Sequence, residues 1–201
     1  MDKLDLMKLH EYEYVQSRTP VIVEPEQAVY LAIDGSGAPG GPGFQERIGA
    51  LYGMAYTIKF SRKKAGGQDY KISALEALYW THDEASGELP ADDWKWKLMI
   101  RTPDFIKAGD LAGAAVALKE KGKSPAVDDV KLEALSEGRA VQMLHVGPYD
   151  MEARTVAEIM NFAERQGLEI AGTHHEIYFS DPGRVAPEKL RTIVRYAVRS
   201  S

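Results

Sequence analysis

The sequence predicts an α+β fold made of duplicated β-α-β-β modules, related by a pseudo-twofold axis, with helices on one side of an antiparallel sheet. Three observations carry that reading. Residues 28–35 read Ala-Val-Tyr-Leu-Ala-Ile-Asp-Gly and residues 140–147 read Ala-Val-Gln-Met-Leu-His-Val-Gly, so one strand-then-glycine outline occurs twice. Each copy is followed by apolar residues at the spacing of one helical face: Phe44, Ile48, Leu51, Tyr52 and Ala55, then Val156, Ile159, Met160 and Ala163. Each helix gives way to an aromatic strand with a Glu inside it, Leu75–Trp80 around Glu76 and His175–Phe179 around Glu176. A further strand closes each half, Trp94–Arg101 and Leu190–Arg199. The whole chain, 1–201, is expected to form one domain, with a first module over 20–101, a connector over 104–122 and a second module over 130–199. The junction of two such modules would form a central ligand cleft.

Taken in order, the first strand runs into Gly35-Ser36-Gly37-Ala38-Pro39-Gly40, which matches the G-x-G-x-x-G pattern of dinucleotide binders. The context argues against a cofactor. A dinucleotide fold needs an acidic residue ending a second parallel strand about 20 residues on. Here the chain reads Tyr56-Thr57-Ile58-Lys59-Phe60, helical and basic. Pro39 and Pro42 suit an irregular loop, and no Lys-Ser or Lys-Thr follows Gly40 as a phosphate loop would require. After the first module, Leu111–Lys121 is an Ala-rich connector helix, 123–129 a loop, and Val130–Ser136 the start of a hairpin into the second copy. Asp150 is the expected N-cap of the second helix.

Composition narrows the functional classes. With 44% hydrophobic and 27% charged residues the chain is ordinary for a globular protein, and no apolar run is long enough to span a bilayer. Met1–His10 lacks the apolar block of a signal peptide, and the chain has no cysteine, so a cytoplasmic location is expected and disulfide or thiolate chemistry is excluded. The net charge of -5 argues against nucleic acid as a direct partner. Two basic groups, Lys59, Arg62, Lys63 and Lys64, and then Arg191, Arg195 and Arg199, read as solvated surface.

The chemistry concentrates in His174-His175-Glu176-Ile177-Tyr178-Phe179-Ser180-Asp181-Pro182. On a strand, Glu176 and Tyr178 share one face and Ile177 and Phe179 the other, so a carboxylate sits among aromatic residues on a face that can line a site. The adjacent His174, His175 and Glu176 cannot all reach one ion, and no H-E-x-x-H helix is present, so no metal is expected. A nucleophilic serine is not expected either, since no G-x-S-x-G elbow occurs. Tyr79, Trp80, Trp94, Trp96, Tyr149 and Tyr178 lie on or just after strands, beside Glu76 and Glu176. Flat aromatic walls with one or two carboxylates form a receptor for planar, apolar or cationic small molecules.

Four stretches, Phe44–Tyr52, Trp96–Phe105, His145-Val146-Gly147-Pro148-Tyr149 and the His174–Pro182 run, together resemble the GyrI-like family over nearly the whole chain. The chain is more narrowly similar to its stand-alone branch, the cyclopropanoid cyclohydrolases. The resemblance implies two β-α-β-β modules around a ligand cleft, and an enzyme that adds water to the strained cyclopropane of DNA-alkylating compounds. Glu176 matches the Glu of the H-H-E-I-Y motif and Tyr149 the aromatic of the H-x-G-P-Y turn. Tyr79-Trp80 stands where relatives often read Trp-Trp. On this resemblance Glu176 activates the water and Tyr149 polarises the conjugated carbonyl, with Tyr79, Trp80, Trp96, Tyr178, Glu76 and His145 as expected ligand contacts. Two readings compete with the enzyme. One is a protein that binds planar hydrophobic drugs without transforming them; the other is a protein that protects DNA gyrase by contact. The stretch before Pro20 is too short for a DNA-reading helical domain.

Overall fold

Alternating apolar residues build the strands of this protein, and the computed structural model describes residues 3–80 and 94–200. In chain order the strands are β1 (Val21–Val23), β2 (Ala28–Ser36), β3 (Leu75–Trp80), β4 (Lys95–Arg101), β5 (Lys131–Leu135), β6 (Ala140–Val146), β7 (Leu168–Ile170), β8 (His174–Tyr178) and β9 (Arg191–Ser200). The helices are α1 (Leu6–Leu9), α2 (Pro42–Lys64), α3 (Ala108–Glu120) and α4 (Ala153–Arg165). The class is α+β with antiparallel strand ladders, as the sequence predicts. No helix among the described residues is long and apolar enough to cross a membrane.

The chain divides into two compact units: Met1–Leu9, Ala28–Ser73 and Tyr79–Leu135 form the first, and His10–Gln27, Ala74–Leu78 and Ser136–Ser201 the second. In the first unit β2 is the middle strand, with β4 on one side and β5 on the other. Ile33 faces Leu98, while Leu31 faces Ile100 on one neighbour and Leu132 on the other, so side chains of like face interlock across the ladder. Both neighbours of β2 are antiparallel, which agrees with rejecting the dinucleotide fingerprint. Gly35 has a different reason to be glycine: a Cβ there would lie 2.0 Å from the Trp96 ring. Pro42 opens α2, where its missing N–H costs nothing, and the helix buries Leu51, Met54, Ala55 and Ile58.

Three expectations change here. Val130–Ser136 does not lead a hairpin into the second copy; β5 pairs with β2, where Leu132 meets Leu31 and Lys131 lies 2.9 Å from Asp34. The connector helix begins earlier than Leu111, because the Asp110 carboxylate accepts the Lys107 N–H at 2.8 Å and caps the turn at Ala108. Lys59 is buried rather than solvated, its ammonium bonded to Asp69 at 2.7 Å and to the Tyr70 carbonyl. Asp69, pulled by Lys59 and Lys63, is held down to about 2.

In the second unit β9 is the long central strand, paired with β6 and β8, with β1 beyond β6 and β7 at its far end. α4 covers one face: Ile159 and Ala163 pack on Val141, Met143, Val194 and Val198. Apolar burial of this size fixes the helix on the sheet, at about 25 cal/mol per Å² removed from water. Because cross-strand partners share a face, the pairing of Glu176 with Val194 puts Glu176 on the α4 side, and that of His175 with Arg195 puts both on the opposite side.

Candidate active site in the second unit

The α4 face of β8 carries His174, Glu176 and Tyr178, and the burial of β8 alternates as the sequence predicts, with His175 and Ile177 turned the other way. Glu176 Oε1 lies 2.8 Å from His174 Nε2, and His174 Nδ1 lies 2.6 Å from the Tyr196 hydroxyl. In the neutral tautomer that donates from Nε2 to Glu176, Nδ1 accepts from Tyr196. Tyr196 comes from β9 and its hydroxyl is pushed up to about 12 by burial and by the charges of Glu152 and Glu176. It therefore keeps its proton and remains a donor.

The turn into α4 supplies the other wall. β6 ends on His145, whose Nδ1 lies 3.0 Å from Thr155 Oγ1 and whose Nε2 lies 3.0 Å from the Pro148 carbonyl. These bonds staple the His145–Tyr149 turn to the first turn of α4. Gly147 sits in the turn at a φ of 144°, and the chain then makes a 3-10 turn over Tyr149–Met151. The residue capping α4 is Glu152, not Asp150, which lies inside that 3-10 turn. Glu152 makes no side-chain cap bond, and its carboxyl lies instead 3.8 Å from His174 and is hydrogen-bonded to Glu176.

Two carboxyl groups and one imidazole thus share a largely buried corner. Burial, then the charge of Glu176, then its hydrogen bond raise Glu152 to about 9. Tyr149 is raised too, by burial first and then by Glu176, Glu152 and Asp181. Its ring meets Tyr178 edge to face, with centroids 5.9 Å apart, and forms an aromatic margin beside the carboxylates. Glu152, His174 and Glu176 each offer one ligand atom, all within 4.8 Å of one another, a spacing that a divalent cation could span. His10, Glu13 and Glu26 form a second group of that kind.

Of the residues singled out from sequence, the structure brings Glu176, Tyr149 and Tyr178 together, with His145 holding their turn in place. Glu76 lies elsewhere. It is wholly buried on the other side of β8, where it accepts from Tyr14 at 3.1 Å and sits 3.0 Å from His175. Tyr79, Trp80 and Trp96 fall in the first unit. Trp96 is 0% exposed and donates to the Gly37 carbonyl at 3.1 Å; Phe44 meets its ring edge-on at 4.8 Å. Tyr79 is buried against Phe44 and Trp94, while Trp80 is half-buried. Trp96 and Tyr79 are placed as core of their unit.

Sequence reasoning missed Glu152 and Tyr196, although both break a pattern. Glu152 stands four residues before Val156 on the stripe that continues through Ile159, Met160 and Ala163, and Tyr196 stands between Val194 and Val198 on the apolar face of β9. An acid on an apolar stripe is the signal that was there to find.

Comparison with known proteins agrees with this architecture. The GyrI-like small molecule binding domain matches residues 18–199. A crystal structure of an uncharacterized conserved protein from Listeria innocua is 36% identical, with a TM-score of 0.90 over 98% of this chain and 100% of that one. Two crystal structures of a hydrolase from Listeria innocua are each 34% identical, with TM-scores of 0.88 and 0.89 over 98% of this chain and 100% of those chains. Among curated proteins none matches.

Proposed function

We propose, for a chain that belongs to the GyrI-like small molecule binding domain family, that it is a hydrolase which adds water to strained cyclopropane electrophiles of DNA-alkylating compounds. The observation that carries this reading is a carboxylate, Glu176, aligned by His174 at 2.8 Å on a face walled by Tyr149 and Tyr178. The two similar Listeria structures described as a hydrolase support it. In the reaction Glu176 takes a proton from water as the water oxygen bonds to the ring methylene. The ring C–C bond breaks, and its electron pair moves into the conjugated carbonyl, which becomes a hydroxyl once protonated. Tyr149, whose proton is held firmly, donates a hydrogen bond to that oxygen as charge builds on it. Ring strain supplies much of the driving force, and the aromatic margin holds a flat substrate in line.

The experiment is incubation of purified protein with a spirocyclopropane DNA-alkylating compound, followed by mass and absorbance. Catalytic gain of one water by the wild type, reduced about 100-fold or more in Glu176→Gln, supports the carboxylate as base. Full turnover by Glu176→Gln with unchanged binding removes it from that role. The family's description favours a second reading, a protein that sequesters planar hydrophobic ligands. Saturable quenching of tryptophan fluorescence without conversion would establish that one instead.

A further inference from the structure

Glu152 is the one group in this corner to which neither the family nor the reaction above gives a task. It is nine-tenths buried, with a side chain 10% exposed. One of its oxygens, Oε1, is buried with no hydrogen-bond partner, while the carboxyl as a whole is bonded to Glu176. The groups that face it are Glu176 and His174 from β8, Tyr196 from β9 and Tyr149 from the preceding turn. His145, the other nearby imidazole, is engaged by Thr155 and Pro148. Against two carboxyl groups there is one imidazole, and its Nε2 is bonded to Glu176. Two carboxyl groups joined by a hydrogen bond must hold a proton between them, because a carboxylate has nothing to donate.

We propose that Glu152 works as a neutral carboxylic acid, a positioning residue whose O–H donates to Glu176 and, together with His174, leaves one Glu176 lone pair aimed at the attacking water. A base held from two sides can accept a proton along one direction only, and orientation of that kind is worth a large factor in rate. The same arrangement keeps the pair at a single negative charge. Deprotonation of Glu152 in alkali would set two anions against each other and turn the Glu176 carboxylate from its bonded position.

This inference rests on the hydrolase reading for its kinetic arm and not for its spectroscopic one. Three variants separate the roles open to Glu152: Glu152→Ala removes the donor, Glu152→Gln restores an uncharged donor, and Glu152→Asp restores the acid on a shorter stem. Folding of each is checked by circular dichroism. The expected result is a loss of about 100-fold in kcat for Glu152→Ala and recovery to within about tenfold of wild type for Glu152→Gln. The wild-type decline of activity near pH 9 should be missing in the Gln variant, since an amide does not ionise. An inactive Glu152→Gln that still binds ligand would overturn the proposal, because a residue that must transfer its proton cannot be replaced by an amide. The second arm needs no substrate. The infrared difference spectrum of wild type minus Glu152→Gln at neutral pH should contain the carbonyl stretch of a protonated carboxylic acid, fading as pH rises. Its absence overturns the neutral acid whatever the kinetics show. If wild type converts no cyclopropane, the hydrolase reading falls, and the infrared band alone upholds or overturns the proton on Glu152.

Discussion

β8 presents a carboxylate–histidine cluster on each of its two faces, and the two are built to opposite rules. On the face away from α4, His175 lies 2.8 Å from Glu137 and 3.0 Å from Glu76, and Arg195 donates to Glu137 at 2.9 Å. Arg195 also donates to Gln142 at 2.8 Å and to the Glu13 carbonyl. Two carboxylates meet two cations, and the network ties the segment around Tyr14 to the sheet. On the α4 face Glu152 and Glu176 meet one imidazole, which Tyr196 holds from behind. Buried charges that balance serve as framework; buried charges left in excess are kept for chemistry. Which histidine does which is decided by strand alternation alone, since the two are adjacent in sequence.

The most damaging way to break this comparison is His175→Leu. It leaves Glu76 and Glu137 facing each other without their shared cation, and removing one partner of a buried ion pair costs about 3–5 kcal/mol. Thermal melting should fall steeply or the chain should fail to fold. The pH dependence has a definite sign. Burial opposes the charge on His175, but Glu137 and then Glu76 override it and raise the group to about 9 from 6.5. Its contribution is therefore complete below 6.5 and lost as pH rises through about 9. Glu137 behaves in the opposite sense: burial raises it, His175 and Arg195 prevail, and it sits at about 2 against 4.5. Its contribution is present above 4.5 and lost as pH falls towards 2.

Glu152→Gln is expected to do the reverse and stabilise. Wild-type Glu152 holds its proton to about 9 when folded and to 4.5 when unfolded, so the folded chain binds more protons over that interval and stability falls as pH rises through it. An amide removes that penalty. A gain of about 2 kcal/mol at pH 8 is expected, or roughly 4–8 °C in melting temperature for a chain of this size, shrinking as the pH is lowered towards 4.5. A drop in melting temperature would mean that Glu152 is framework, like Glu137, and that the two faces do not differ as argued. Stability gained at the expense of rate is the usual mark of a site residue.

This division was only partly legible in the sequence. Period-2 alternation in His174–Phe179 placed Glu176 and Tyr178 together, and the repeated strand-glycine-helix outline gave the order of the two halves. Arg195 was misread as surface because its spacing from Arg191 and Arg199 looks like a solvated row. β9, however, has strands on both sides, and its middle is buried on both faces, so only the ends of that row reach solvent. Glu76 was misplaced for a related reason: an acid in an aromatic strand looks the same whether it lines a site or completes a buried ion network. The partners that decide it, Tyr14 and His175, lie 62 and 99 residues away. Long-range charge pairing leaves no periodic trace.

The smallest effect gives the finest comparison, because one tyrosine hydroxyl buttresses each cluster. Tyr14 donates to Glu76 at 3.1 Å on one face, and Tyr196 meets His174 Nδ1 at 2.6 Å on the other. Each substitution by Phe removes one hydrogen bond, worth about 1–2 kcal/mol. If the faces differ as framework and site, the losses appear in different measurements. Tyr14→Phe should lower the melting temperature by a few degrees and leave the pH dependence of turnover where it was. Tyr196→Phe should hardly move the melting temperature, since the ring stays packed against α4 and the hydroxyl it loses served a half-exposed imidazole. It should cost about fivefold in kcat, because without the donor at Nδ1 the ring is no longer confined to the tautomer that donates from Nε2 to Glu176. Nitrogen-15 spectra of the imidazole would read that tautomer directly. Equal losses of stability in both variants, with no change in the His174 tautomer, would make the α4 cluster a second piece of framework.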